Sequence, residues 1–135
     1  MVMLRIFYKF LKDRRGAAVV EMAFVLPLFI LFVLGIIEFG RAYWTWDSMQ
    51  LSIDEAGRYA MTNITASDAQ IVSVAQNNLY GLAPGNFTIT SKSQVSSGVT
   101  YKVITATYPF SFVAPGVLPF GNFTLSRSTT VPLMP

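Results

Sequence analysis

From Ala17 to Ile37 the chain reads AAVVEMAFVLPLFILFVLGII, and of these 21 residues only Glu21 is polar. A helix apolar on every side has no place at a water boundary. At about 1.5 Å per residue the run is roughly 31 Å long, against a hydrocarbon core of about 30 Å. The pattern predicts a transmembrane helix. A chain of 135 residues is too small to wrap such a helix in a soluble core. The run also exceeds the roughly 7 to 15 apolar residues of a removable signal peptide.

Beyond the span the apolar period changes. Phe39, Ala42, Trp46, Met49, Ile53, Ala56 and Ala60 recur at spacings of three and four, which predicts that the helix continues as a stem with one apolar seam. Glu38 with Arg41, and Asp54 with Arg58, are spaced as helix-neighbour ion pairs on the solvated side. A break is expected from Thr62 to Ala66. Ser67-x-x-Gln70 then reads as a capping box that opens a second helix to about Tyr80, ended by Gly81 and Pro84.

From Phe87 the period becomes two. Phe87–Thr90, Val99-x-Tyr101-x-Val103 and Phe123-x-Leu125 predict three strands, with Ser96-Ser97-Gly98 as the hairpin turn between the first two. The stretch from Pro109 to Gly121 is rich in proline and predicts a loop. The fold class expected is α+β: a long N-terminal helix carrying a small head with a second helix and an antiparallel sheet of about three strands.

Charge changes the picture only at one end. Residues 1–16 carry Arg5, Lys9, Lys12, Arg14 and Arg15 against Asp13, a net of +4, while residues 17–135 are net −1. The positive-inside rule therefore puts the N-terminus in the cytoplasm and the rest outside. Tyr43, Trp44 and Trp46, just past the span, fit an interfacial aromatic belt on that outer side. No basic stripe remains on the body of the protein to neutralise phosphates, which argues against nucleic-acid binding.

With no cysteine and no histidine, disulfides, thiolate nucleophiles, imidazole bases and nearly all zinc chemistry are excluded. Ser91-Lys92-Ser93 imitates a Ser–Lys dyad, but a lysine on a predicted edge strand is better explained as a charge against aggregation. No catalytic residue, metal site or cofactor is assigned.

Glu21 is the residue that needs a reason. A carboxylate inside a membrane helix costs up to about 3 kcal/mol, so such groups keep partners. Cleavage between Gly16 and Ala17 would remove the basic residues and create an α-ammonium at the head of the apolar helix. Glu21 would then stand one helical turn from that amine and near the positive helix N-terminus. Between packed copies, the carboxylate of one helix could meet the amine of the next and fix their relative displacement. Pro27, inside the span, removes a helix hydrogen bond and predicts a kink.

RRGAAVVEMAFVLP, a basic stretch, a glycine and a glutamate five residues on, resembles the class III cleavage motif of type IV prepilins. Extended through LGIIEFGR and DEAGRYA, the first sixty residues resemble the TadE-like pseudopilins of tight-adherence (Tad, or Flp) pilus systems; TYPFSFVAPGVLPFGNFTLSRSTT is similar to the end of such proteins. Met22, where Tad main pilins often have an aromatic residue, and the exported part of some hundred residues suit the TadE type better.

The resemblance implies a minor pseudopilin cut by a prepilin peptidase after Gly16, with residues 1–16 as leader, 17–40 as transmembrane helix and 41–135 as exported stem and head. It implies Glu21 as the docking residue, and as partners the lipid bilayer, other Tad pilins and pseudopilins and an inner-membrane assembly platform. The location implied is a bacterial inner membrane, crossed once, with the C-terminus periplasmic. The alternative is an uncleaved, single-pass accessory or binding protein in which Glu21 is incidental.

Overall fold

The computed structural model describes residues 14–113, 116 and 121–133. Residues 1–13 of the expected leader, and 114–115 and 117–120 of the expected loop, lie outside the described residues. The elements are α1 (Arg14–Thr62), α2 (Asp68–Asn77), a single 3-10 turn (Pro84–Asn86), β1 (Thr88–Ser96), β2 (Val99–Phe110) and β3 (Phe123–Leu133). This is the expected α+β, pilin-like layout: one long helix, a second helix and a three-stranded antiparallel sheet. The chain divides into two compact units, Met1–Ile37 and Glu38–Pro135, and α1 contributes to both.

Among the described residues of the first unit, α1 covers no core. Phe24, Leu28 and Val19 are at least two-thirds exposed, and the helix is assigned without interruption through Pro27. It is long and apolar enough to cross a membrane, and none of its most apolar window is buried against its own chain. A core helix of a soluble protein would be covered there.

In the second unit one face of α1 is buried. Met49, Ile53 and Ala56 have no exposed surface and Ala60 almost none. Each fully buried branched or long side chain contributes about 1.5–3 kcal/mol. Ser52, also fully buried, donates its Oγ to the Ala75 carbonyl at 2.7 Å, tying α1 to α2. Ile71 and Ala75 from α2, Ile89 from β1, and Ile104 and Ala106 from β2 complete the core.

The seam begins one residue earlier than the sequence pattern suggested. Phe39 is 74% exposed and Trp46 is 36% exposed, while Glu38 and Thr45 are buried. The steps 38, 42, 45, 49 also alternate four and three, and they lie closer to the direction of Met49 and Ile53 on a helix of 3.6 residues per turn. Apolar identity favoured Phe39; helical phase favours Glu38.

The predicted break holds Asn63 and Ala66 in tight turns, with Asn63 N–H donating to the Tyr59 carbonyl at 2.9 Å and Ala66 N–H to the Asn63 carbonyl at 2.8 Å. The capping box is present. Gln70 N–H donates to Ser67 Oγ at 3.3 Å, and Ser67 N–H donates to Gln70 Oε1 at 2.9 Å. α2 ends at Asn77 rather than near Tyr80, because the side chain and backbone of Asn78 turn back onto the Val74 and Ala75 carbonyls. Those bonds satisfy the last helical acceptors early.

β1 and β2 join through Ser97 and Gly98, both with positive φ (51° and 79°), a two-residue loop whose twist matches that of the strands. The register runs Ser96↔Val99 to Thr88↔Thr107 between β1 and β2, and Thr100↔Leu133 to Phe110↔Phe123 between β2 and β3. All three strands are longer than the apolar alternation indicated. Serines at 91 and 93 occupy the core face of β1 and hide the period. Pro109 belongs to β2, not to the loop. It lies past the last β1 pair, so its missing N–H removes no ladder bond.

Candidate functional site

Gly16 and Ala17 lie in the first turn of α1. Gly16 is exposed, and a Cβ built on it would meet nothing within 4 Å. Packing among the described residues therefore does not require a glycine there. Ala17 and Glu21 are four residues apart on one helix, so they share a face about 6 Å apart along the axis. The whole stretch from Gly16 to Ile30 is exposed, Glu21 included, and Glu21 has no ion-pair partner among the described residues. The structure thus brings Gly16, Ala17 and Glu21 onto one helical segment. Pro27 stands six residues further along, and the Ala23 carbonyl, one turn back, loses its usual helix donor.

Glu38 is the functional-looking residue that sequence reasoning placed wrongly. It was expected on the solvated side, yet only 4% of it is exposed. The Arg41 guanidinium donates to its Oε2, as the sequence spacing indicated, and the Val113 amide donates to its Oε1 at 2.7 Å. Arg41 also lies over the Phe110 ring, 5.2 Å from its centroid. A buried carboxylate with two donors keeps its charge compensated. Its work is to hold the chain just after β2 against α1.

The other expected pair, Asp54 with Arg58, does not form. Arg58 pairs with Glu55, whose longer side chain reaches it three residues on, and both Asp54 oxygens accept from Gln50 Nε2 at 2.9 Å. Ser91 and Lys92 cannot act as a dyad, because successive strand residues point to opposite faces. Ser91 Oγ instead donates to Asp68 Oδ1 at 2.7 Å. Among the described residues no group of three acidic, histidine or cysteine side chains could hold a metal.

On β3, Arg127 stacks its guanidinium 3.5 Å from the Trp46 ring centroid. This contact was not foreseen, since it joins residues 81 positions apart and only the strand register brings them together.

Residues 16–58 match the family model of TadE-like protein. The match starts at Gly16, covers the apolar run and ends four residues before the end of α1. No curated protein and no solved structure matches the chain.

Proposed function

We propose that this chain, carrying a TadE-like segment from Gly16 into the stem helix, is a minor pseudopilin that takes part in assembling a Tad pilus. The basic residues stay in the cytoplasm and α1 crosses the inner membrane once. A prepilin peptidase hydrolyses the Gly16–Ala17 bond at the cytoplasmic face, leaving a carboxylate on Gly16 and an α-ammonium on Ala17. Glu21, one turn away, neutralises that ammonium or the one on a neighbouring subunit. In lipid such a pair fixes the displacement of one helix along another, because the alternative is an unpaired charge in hydrocarbon. Pro27 is the point at which the helix bends.

The observation that carries this reading is the start of the family match at Gly16, a glycine that packing among the described residues does not require. An exposed Glu21 without a partner among the described residues supports it further. N-terminal sequencing of the protein extracted from membranes tests it. A mature chain beginning at Ala17 is expected; a chain that keeps the basic residues upstream would leave an uncleaved anchored protein instead.

A further inference from the structure

The two edges of the sheet are not alike. The order is β1-β2-β3, so among the described residues β1 and β3 each have one unpaired side. β1 carries Lys92, and α2 lies against it. β3 is 11 residues long, and none of its residues is buried.

Which backbone groups of β3 are free follows from the hairpin. A two-residue loop with both φ positive is closed by a hydrogen-bonded pair, so Val99 turns its N–H and C=O to β1. The alternation of antiparallel ladders then sends the even residues of β2 toward β3, where they meet the odd residues of β3. Pro109 and Pro132 both fall where no ladder N–H is needed, as this assignment requires. Thr124, Ser126, Ser128 and Thr130 therefore direct their N–H and C=O groups away from the sheet.

Such an edge is a template for another strand unless it is guarded. The one charge on β3 is Arg127, which shares the core-side face with Ile104 and Ala106 through the register. Its Nε is buried without a hydrogen-bond acceptor, and no carboxylate pairs with it among the described residues. Adding an uncharged or basic strand here would desolvate the guanidinium further with nothing in return. A strand with a carboxylate at that position would form a charge-assisted pair instead. The guard is selective.

We propose that the edge of β3 takes up an extended segment of another protein, with an aspartate or glutamate facing Arg127 and apolar residues alternating on either side of it. A second copy of this chain does not fit. No acidic residue follows Asp68 in the sequence, so neither of its edge strands can supply the carboxylate. Paired β3 to β3, Arg127 would face Arg127 or an uncharged residue, and β1 offers only uncharged residues and Lys92. This docking surface is independent of cleavage after Gly16, so the uncleaved chain serves the test equally.

The test uses the full chain in detergent micelles and two synthetic peptides of alternating valine and threonine, identical except for a central glutamate or lysine. Amide hydrogen exchange at Ser126 and Ser128 should slow by about tenfold or more with the glutamate peptide and change little with the lysine peptide. Ser126→Pro removes an outward N–H that the ladder does not use, so it should abolish the protection at Ser128 with the fold intact. Arg127→Glu should reverse the preference toward the lysine peptide, which keeps the proposal testable if the proline variant does not fold. Equal protection by both peptides, or by neither, overturns the proposal. So does protection that rises with protein concentration alone, which would make a second copy the occupant.

Discussion

Lys102 Nζ donates to Asp68 Oδ1 at 2.6 Å, joining the core face of the central strand to the first turn of α2. The lysine side chain is 8% exposed and the aspartate 52%, so the buried partner depends on the half-exposed one for its counter-charge. Asp68 also accepts from Ser91. The hydrogen bond from Lys102, and after it that from Ser91, hold the Asp68 carboxyl below its ordinary value of 3.8, against the opposing pull of burial.

A carboxyl whose folded pKa is depressed adds stability above its unfolded pKa and loses it as pH falls through the folded one. Asp68→Asn should therefore cost about 1–2 kcal/mol at neutral pH, discounted for the exposure of the carboxylate. The gap between variant and parent should close below about pH 4. Thermal unfolding of the detergent-solubilised protein across pH checks this. A gap that persists unchanged at acid pH would mean that the ion pair is not its source.

Gly57 faces β3, and a Cβ there would stand 3.0 Å from Val131 Cγ1 and 3.6 Å from Thr129 Cγ2. Alanine gains roughly 1 kcal/mol in helix propensity, while overpacking costs about 1–3 kcal/mol. Gly57→Ala should be neutral to mildly destabilising, and Gly57→Val clearly destabilising. Pairing Gly57→Ala with Val131→Ala should remove the clash, so the double variant is more stable than the sum of the two single changes predicts. Simple additivity in chemical denaturation would show that the helix and β3 do not press on each other at this point.

These contacts mark where sequence reasoning stopped. The span, the capping box at Ser67 and the turn at Ser97-Gly98 depend on local signals, a long apolar run or specific residues at fixed offsets, and so were legible. Gly16, Ala17 and Glu21 were legible as one segment because a helix fixes their spacing. The burial of Glu38 was hidden because polar identity argued against a seam position that helical phase supports. The length of β1 was hidden by serines on its core face. The contact of Arg127 with Trp46, and that of Gly57 with Val131, needed the β2–β3 register, which no local pattern encodes.

Glu38 ties Arg41 and the Val113 amide at the start of the chain segment that follows β2. Glu38→Ala removes the acceptor shared by the Arg41 guanidinium and the Val113 amide and should cost about 1 kcal/mol, since Val113 itself is exposed. Glu38→Gln retains a carbonyl for Val113 and should cost less. The Val113 amide should exchange faster in the alanine variant than in the glutamine variant. Equal exchange in both would show that the contact does not hold Val113 in place.

Gly16 and Glu21 serve separate steps in the proposed pathway, so their variants should fail differently. Gly16→Leu puts bulk beside the scissile bond, although the helix itself has open space there. It should leave a chain that retains the basic residues, and no assembly. Glu21→Gln keeps the shape and the glycine, so the mature chain should still begin at Ala17. What it removes is the counter-charge to the new ammonium. One unpaired charge in hydrocarbon costs up to about 3 kcal/mol, roughly a hundredfold in an equilibrium between separate and packed helices. Pilus yield, measured by shearing and quantifying surface fibres, should fall steeply in Glu21→Gln while N-terminal sequencing stays normal, and Glu21→Asp should recover part of it. Normal fibres from Glu21→Gln would show that Ala17 and Glu21 share a helix face without sharing a function.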